Sequence, residues 1–206
     1  MYEQPTAHLI DTASGGMSGS TGYYEKKIGE LGDLYGDTEA FKELRKRRGD
    51  ETAYQVRDVK PQVAHGGLIF GTTLMQPGKV GTEFFMTRGH LHARADRPET
   101  YCGMSGVGVM LLETPEGDVQ TLEIAPNALI YVPPMWIHRS VNVGPAPLVM
   151  RFCYPADAGQ NYQIIAESGG MAVRIVQGGS GWKSVPNENY QPRSVAQIRA
   201  ILGAQA

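Results

Sequence analysis

The sequence predicts one mainly β domain, a small barrel or sandwich flanked by two short helices, and three observations carry this. The chain has 206 residues, enough for one domain with a full core and short for two. Between Thr52 and Val185 it breaks into short runs rich in Val, Ile, Thr, Tyr and Phe, punctuated by Gly and Pro, the pattern of many short strands at close spacing. Its 26 glycines and 13 prolines together exceed the ~12% of an average protein, which favours turns over long helices.

Residues 1–36 are polar and glycine-rich, with GGMSGSTG at 15–22, and hold no sustained period; they read as an extended arm with little core of its own. Asp37 or Thr38 can cap a helix through EAFKELRKRR to Gly49, acidic in its first turn and basic in its last, the polarity a helix dipole favours. The cluster at Lys46, Arg47 and Arg48 reads as a solvated helix end, since nothing downstream extends it. Strand runs follow: TAYQVRDV, GLIFGTTLM, EFFMT, ETYCG, GVGVMLLET, VQTLEIA, ALIYV, HRSVNV, LVMRFCY and AVRIVQ. The clearest hairpin joins MLLET to VQTLEI through a loop holding Pro115 and Gly117. In the tail, Ser194 can cap an amphipathic helix with Val195, Ile198, Ile201 and Leu202 on one side and Gly203 after it, placed to pack on the barrel or a partner subunit. The whole chain, 1–206, reads as a single domain: arm and helix over 1–50, strand-rich core over 51–176, and a C-terminal extension over 177–206.

Lys and Arg total 19 against 21 Asp and Glu, a net charge of −2, so there is no basic excess to grip nucleic acid or an anionic membrane. No window approaches the ~18 uninterrupted apolar residues of a spanning helix, and the opening residues lack the basic and apolar regions of a secretory signal. The expectation is a soluble cytoplasmic protein. Cys102 and Cys153 cannot build a disulfide framework and lack metal-finger spacing. Each neighbours a tyrosine, Tyr101 or Tyr154, and alternation turns the thiols to the opposite face, where they read as core residues rather than nucleophiles.

Three of the five histidines stand out: His90 and His92 in GHLHARADRPETY, and His138 in YVPPMWIHRSVN. On a strand, residues two apart share a face, so His-x-His can set two imidazoles on one metal at about 2.0–2.1 Å; on a helix they diverge. Glu99 opens the next strand past the turn ARADRP, and an antiparallel return brings it opposite the pair. His138 can close the set from a strand introduced by Pro133-Pro134. Three imidazoles and a carboxylate suit a divalent transition ion with positions open for water or substrate. Tyr101 shares the face of Glu99, which turns its phenol toward the same cavity. His8 and His65 have no comparable context, and Trp136 is assigned no role.

These stretches resemble the paired motifs of the cupin superfamily, in which one motif supplies two His and a Glu and a second supplies the last His, within a small jelly-roll β-barrel. Within it, the chain is most similar to the cupin-type glucose-6-phosphate isomerases, through Thr73, Pro77, Gly81, Glu83, Thr87, Gly89, His90, His92, Glu99 and Tyr101. The similarity continues into TPEGD at 114–118, YVPP-x-W-x-HR-x-VN at 131–142 and YPADAG at 154–159, covering roughly residues 50–176. It departs at Asn127 and Met135, where general cupins carry glycines, although Asn127 tolerates a left-handed backbone. Met135 also stands where a tyrosine is common, and Gln160 where family members often carry His.

The resemblance implies a metal-dependent aldose–ketose isomerase interconverting glucose 6-phosphate and fructose 6-phosphate. It implies one divalent transition-metal ion per subunit on His90, His92, Glu99 and His138, with Fe2+ first and Mn2+, Ni2+, Co2+ or Zn2+ as alternatives. Thr73, Thr87 and Gly89 match positions around the substrate phosphate, and Tyr154 and Tyr162 match the pocket tyrosines that suit sugar hydroxyls. Glu99 and Tyr101 are the candidate catalytic residues, Glu99 either as the base between carbons 2 and 1 or in support of a metal-assisted hydride shift. The resemblance and the exposed edges of a jelly roll both point to a homodimer. Two other readings remain: a cupin oxygenase or decarboxylase on a small organic acid, since the same ligand set serves Fe or Mn oxygen chemistry, and a non-enzymatic sugar-phosphate-binding cupin.

Overall fold

A computed structural model describes residues 4–62 and 65–203. In chain order its elements are β1 Gly22–Lys27, α1 Thr38–Arg48, β2 Thr52–Val59, β3 Leu68–Met75, β4 Lys79–Val80, β5 Glu83–Phe84, β6 Glu99–Ser105, β7 Gly108–Glu113, β8 Val119–Ile124 and β9 Leu129–Val132. There follow β10 Ile137–Asn142, β11 Leu148–Pro155, α2 Gln163–Glu167, β12 Val173–Gly178, β13 Gly181–Pro186 and α3 Val195–Gly203. The fold is mainly β, a jelly-roll barrel of antiparallel sheets. One wall is a six-stranded sheet in the order β1-β2-β3-β11-β6-β9. The other combines β10-β7-β8 with β13-β12-β5-β4, joined where Thr87 donates to the Ser140 carbonyl and Asn142 to that of Phe85.

The core lies between these walls and behind the second one. Every residue of β7 and β10 is buried, because each strand is covered on both faces. Cross-strand pairing puts His138 opposite Leu112 and Ser140 opposite Met110 on the inner face, and Arg139 opposite Leu111 on the outer one. The β7–β8 hairpin runs as expected: Thr114 donates to the Asp118 carbonyl at 2.9 Å, and Gly117 takes a φ of +99° that its lack of a Cβ permits. Asp37 caps α1 by accepting from the Ala40 amide at 2.9 Å, and Phe41 and Leu44, three apart, bury its inner face. Ser194 and Gln197 form a reciprocal capping pair at the start of α3; Ile198 and Ile201 are half-buried, while Val195 and Leu202 stay exposed.

Several expectations are corrected. The first 36 residues are not an arm without a core: Met17, Ile28, Leu31 and Tyr35 are buried, and β1 extends the six-stranded sheet beside β2. The preceding stretch lies on the outer face of that sheet, where Thr72 donates to the Gly15 carbonyl and Ser105 to that of Thr12. Helix is not confined to 38–48 and 194–202, since α2 adds five residues, too few to show a 3.6 period. β13 pairs with β12 along its length, although GWKSVP has little alternation. Cys102 and Cys153 do face away from the tyrosines, yet they are half-buried rather than core thiols. Both line an outer-face cavity of about 440 Å³ between the six-stranded sheet and the N-terminal stretch. Among the described residues, no helix is long and apolar enough to cross a membrane.

Candidate active site

The four ligand candidates meet at the inner end of the barrel. His138 lies on β10, and His90 pairs with it through two backbone hydrogen bonds, 3.0 Å from the His90 amide and 2.9 Å from that of His138. His90 and Leu91 sit on isolated bridges, to His138 and Asn161, and His92 follows them outside any regular strand, yet the spacing of two still turns both rings inward. Glu99 does not arrive opposite them by an antiparallel return. It opens β6, which pairs with β9 and β11, so the loop 93–98 carries the chain from one wall to the other and Glu99 reaches across the barrel. Its Oε2 lies 3.0 Å from His138 Nε2, 3.2 Å from His92 Nε2 and 3.9 Å from His90 Nε2.

The ring nitrogens on the far side are fixed by backbone. His92 Nδ1 donates to the Arg97 carbonyl at 2.7 Å and His138 Nδ1 to that of Trp136 at 3.1 Å, which directs each Nε2 into the cluster. Trp136, assigned no role from sequence, thus aims a ligand candidate through its carbonyl. Arg97 is itself clamped by Asp157 of YPADAG, through Nε to Oδ1 and an NH2 nitrogen to Oδ2, each 2.9 Å.

The residues fit a divalent ion. The four ligand atoms all lie within 4.8 Å of one another, and His90 Nε2 and His92 Nε2 are buried without a hydrogen-bond partner among the described residues, a cost that a shared cation removes. Burial, with the neighbouring His138 charge, pushes His90 well below its usual range, which leaves its lone pair free to coordinate. Burial pushes the Glu99 carboxyl up, but the hydrogen bond with His138 and the close approach of His92 override it and hold it at about 2.

Beside the cluster opens a cavity of about 270 Å³, near the lower end of small-ligand sites. Strand alternation builds its wall: Tyr54, Val56 and Asp58 from β2, Ile69 and Thr73 from β3, Met150, Phe152 and Tyr154 from β11, and Glu99 and Tyr101 from β6. Thr73 sits at the centre of the sheet, paired with Val56 and Met150. Thr87, Gly89 and Tyr162 line the opposite side. All the substrate-site candidates therefore converge on one cavity with the metal-ligand cluster, His92 standing behind the lining. Burial pushes the Tyr54 phenol up to about 12 and also raises those of Tyr101 and Tyr154, so near neutral pH they are hydrogen-bonding hydroxyls rather than bases.

Met86 bridges Val141 and His90 bridges His138, so Arg88 and Gly89 together face the single residue Arg139. This is a β-bulge, and Gly89 supplies its left-handed residue at φ +72°. A Cβ there would meet the Arg139 Cβ at 2.8 Å and the His138 carbonyl oxygen at 2.9 Å. Thr87 Oγ1 accepts from the Ser140 amide at 3.1 Å, which leaves its hydroxyl hydrogen for a ligand.

Sequence reasoning missed Tyr24, Tyr54, Asp58, Lys60 and Arg88, which also line the cavity. The stripe Tyr54, Val56, Asp58, Lys60 follows the same period of two that located Tyr101. Tyr24, opposite Val56, lay in a stretch without period. At the departures from the resemblance, Asn127 and Met135 take the positive φ values of glycine, 67° and 74°. Met135 is half-buried away from the cavity lining, and the Gln160 side-chain oxygen accepts from the Tyr162 hydroxyl at the cavity mouth.

Residues 25–193 match the family model described as glucose-6-phosphate isomerase, a span wider than the 50–176 that the motifs alone cover. The chain is 50% identical over 203 residues to the glucose-6-phosphate isomerase of Sinorhizobium medicae (strain WSM419), covering 98% of this chain and 95% of that protein. It is 42% identical over 182 residues to the glucose-6-phosphate isomerase of Pyrococcus furiosus, covering 87% and 94%. With its four-ligand cluster and bulged loop, the chain belongs to the cupin-type glucose-6-phosphate isomerase family.

Proposed function

We propose that the chain interconverts glucose 6-phosphate and fructose 6-phosphate with a divalent transition metal held by His90, His92, Glu99 and His138. The observation that carries this reading is the convergence of that cluster and the Thr73, Thr87 and Gly89 positions on one cavity in a chain of this family. When bound, the metal supplies Lewis-acid stabilisation for oxygens that gain charge between aldose and ketose. Fe2+ is the first candidate, with Mn2+, Ni2+, Co2+ and Zn2+ as alternatives.

Thr73, Thr87 and the Gly89 backbone hold the phosphate, and the neutral phenols of Tyr154 and Tyr162 orient the sugar hydroxyls. Glu99 moves the proton between carbons 2 and 1. Its low pKa keeps it ionised but makes it a weak acceptor, so the transfer draws on positioning, and the buried Tyr101, two residues on along the same strand face, helps fix that position. Glu99→Gln, at verified full metal occupancy, should lose about 10²- to 10⁴-fold in kcat while phosphate binding changes much less. With substrate deuterated at carbon 2, the wild type should release part of the label to solvent; complete retention at carbon 1 would replace proton transfer by a direct hydride shift.

The same reading takes the protein as a homodimer. Leu129 and Tyr131 on edge strand β9 are 71% and 56% exposed, and Leu9 is 84% exposed, an apolar surface that a second copy would cover. Sedimentation at twice the chain mass is expected, and the single-chain mass at micromolar protein would contradict it.

A further inference from the structure

Arg139 is 5% exposed and forms no ion pair among the described residues. The two carboxylates whose charge acts on it, Glu113 and Glu83, are already committed. Glu83 binds Arg174 at 2.8 Å through Oε2 and accepts from the Gly36 amide through Oε1. Glu113 binds Arg193 at 2.7 Å through Oε1 and accepts from the Ala172 amide through Oε2. Arg139 spends one NH1 bond on the Met86 sulfur at 3.0 Å and one NH2 bond on the Arg88 carbonyl at 2.6 Å, and its buried Nε has no partner. A buried guanidinium without a counter-charge is costly, and Arg139, turned to the outer face of β10, is also among the residues that line the cavity with Thr87 and Gly89.

The position explains what that cost can serve. The bulge turns the Arg88 carbonyl out of the strand ladder, and Arg139 satisfies it from the opposite strand. Among the described residues, the Gly89 amide makes no hydrogen bond. A held carbonyl, a free amide on a left-handed glycine and a cation behind them make a concave anion site.

We propose that Arg139 is the positioning cation of this cradle: it holds the Arg88–Gly89 bulge in shape and supplies the charge that an incoming phosphoryl group neutralises. This rests on the sugar-phosphate reading above and adds a residue to it. Arg139 acts from behind the loop, so its removal should weaken recognition of the phosphoryl group more than it slows the chemical step.

The test uses metal-loaded protein with inorganic phosphate as the probe. In calorimetry, Arg139→Met should bind phosphate at least tenfold more weakly than wild type. Its KM for fructose 6-phosphate should rise by a similar factor, kcat should fall by less, and metal content should be unchanged. Arg139→Lys, which keeps the charge but not the forked reach to the Arg88 carbonyl, should lie between the two. Wild-type phosphate affinity in whichever variant retains a cooperative melt would overturn the proposal. If neither variant folds, hydrogen exchange on the wild type decides: added phosphate should slow exchange at the Gly89 amide, and no protection there would overturn it. Phosphate binding that depends on Arg139 in a protein without isomerase turnover would defeat the proposed function and leave this inference standing. Wild-type turnover with variants indistinguishable from it would do the reverse.

Discussion

His92 is aimed by residues that never touch a ligand position. Asp157 fixes Arg97, and the Arg97 carbonyl fixes the ring, so a loop some sixty residues downstream sets the geometry of the cluster. Removing such an orienting group usually costs ten- to a hundredfold in metal affinity, and Asp157→Asn should lose about tenfold in a chelator competition while retaining the four ligands. The hydrogen bond from Arg97 holds the Asp157 carboxyl at about 2, below its ordinary 3.8. A depressed folded-state pKa adds stability above the unfolded value and loses it as pH falls through the folded one. The melting temperatures of wild type and Asp157→Asn should therefore differ above about pH 4 and converge toward pH 2; a gap independent of pH across that window would contradict the ion pair. The four residues of the cluster were legible because a spacing of two, a turn and a later strand are local signals. The Asp157 clamp was not, because nothing in a single sequence pairs an aspartate with an arginine across the barrel.

At the scale of elements, the site depends on interruptions of regular structure. The bulge at Arg88–Gly89 lets the Met86–His90 segment bind β10 at both ends while its middle lines the cavity. The turn before β9 uses Asn127 at φ +67°, exposed to solvent, to bring its amide to the Gly103 carbonyl at 2.9 Å. Left-handed backbone costs an ordinary L residue about 1–2 kcal/mol, and asparagine bears it better than most. Asn127→Ala should therefore destabilise by about 1 kcal/mol in urea unfolding, and Asn127→Gly should not; equal stability of the two variants would remove the backbone argument. The turn was readable from the residue type, as were the strands whose alternation is clean, such as TAYQVRDV. β1 and α2 were not, since one lies among scattered glycines and the other spans little more than a helical turn. The antiparallel return drawn for Glu99 failed for a related reason: strand periodicity assigns a face to each residue but does not say which wall the next strand joins.

Across the whole molecule, the two chain ends tie the second wall down from outside. Arg193 from the tail enters the core to meet Glu113 of β7, beside the strand that carries His138 and Arg139, and Arg174 joins Glu83 to the Leu34 carbonyl, so segments from both ends of the chain back the second wall. The six-stranded wall supplies Glu99, Tyr101 and Thr73, and the other supplies the histidines and the bulge, which makes the cavity a property of their closure. The motifs disclosed the four residues that cluster and the fold class, while the contribution of the first 36 residues to the core emerged only from packing. On the proposed function, the cluster of His90, His92, Glu99 and His138, loaded with a divalent ion, drives aldose–ketose isomerisation in the adjoining cavity. A coupled assay on fructose 6-phosphate tests it most directly, run on chelator-stripped protein and again after adding Fe2+, Mn2+, Ni2+, Co2+ or Zn2+ singly. Stripping should abolish glucose 6-phosphate formation, and at least one ion should restore it in wild type but not in His90→Ala or His138→Ala; full turnover by the stripped protein, or none with any ion, would rule out metal-dependent isomerisation at this cluster.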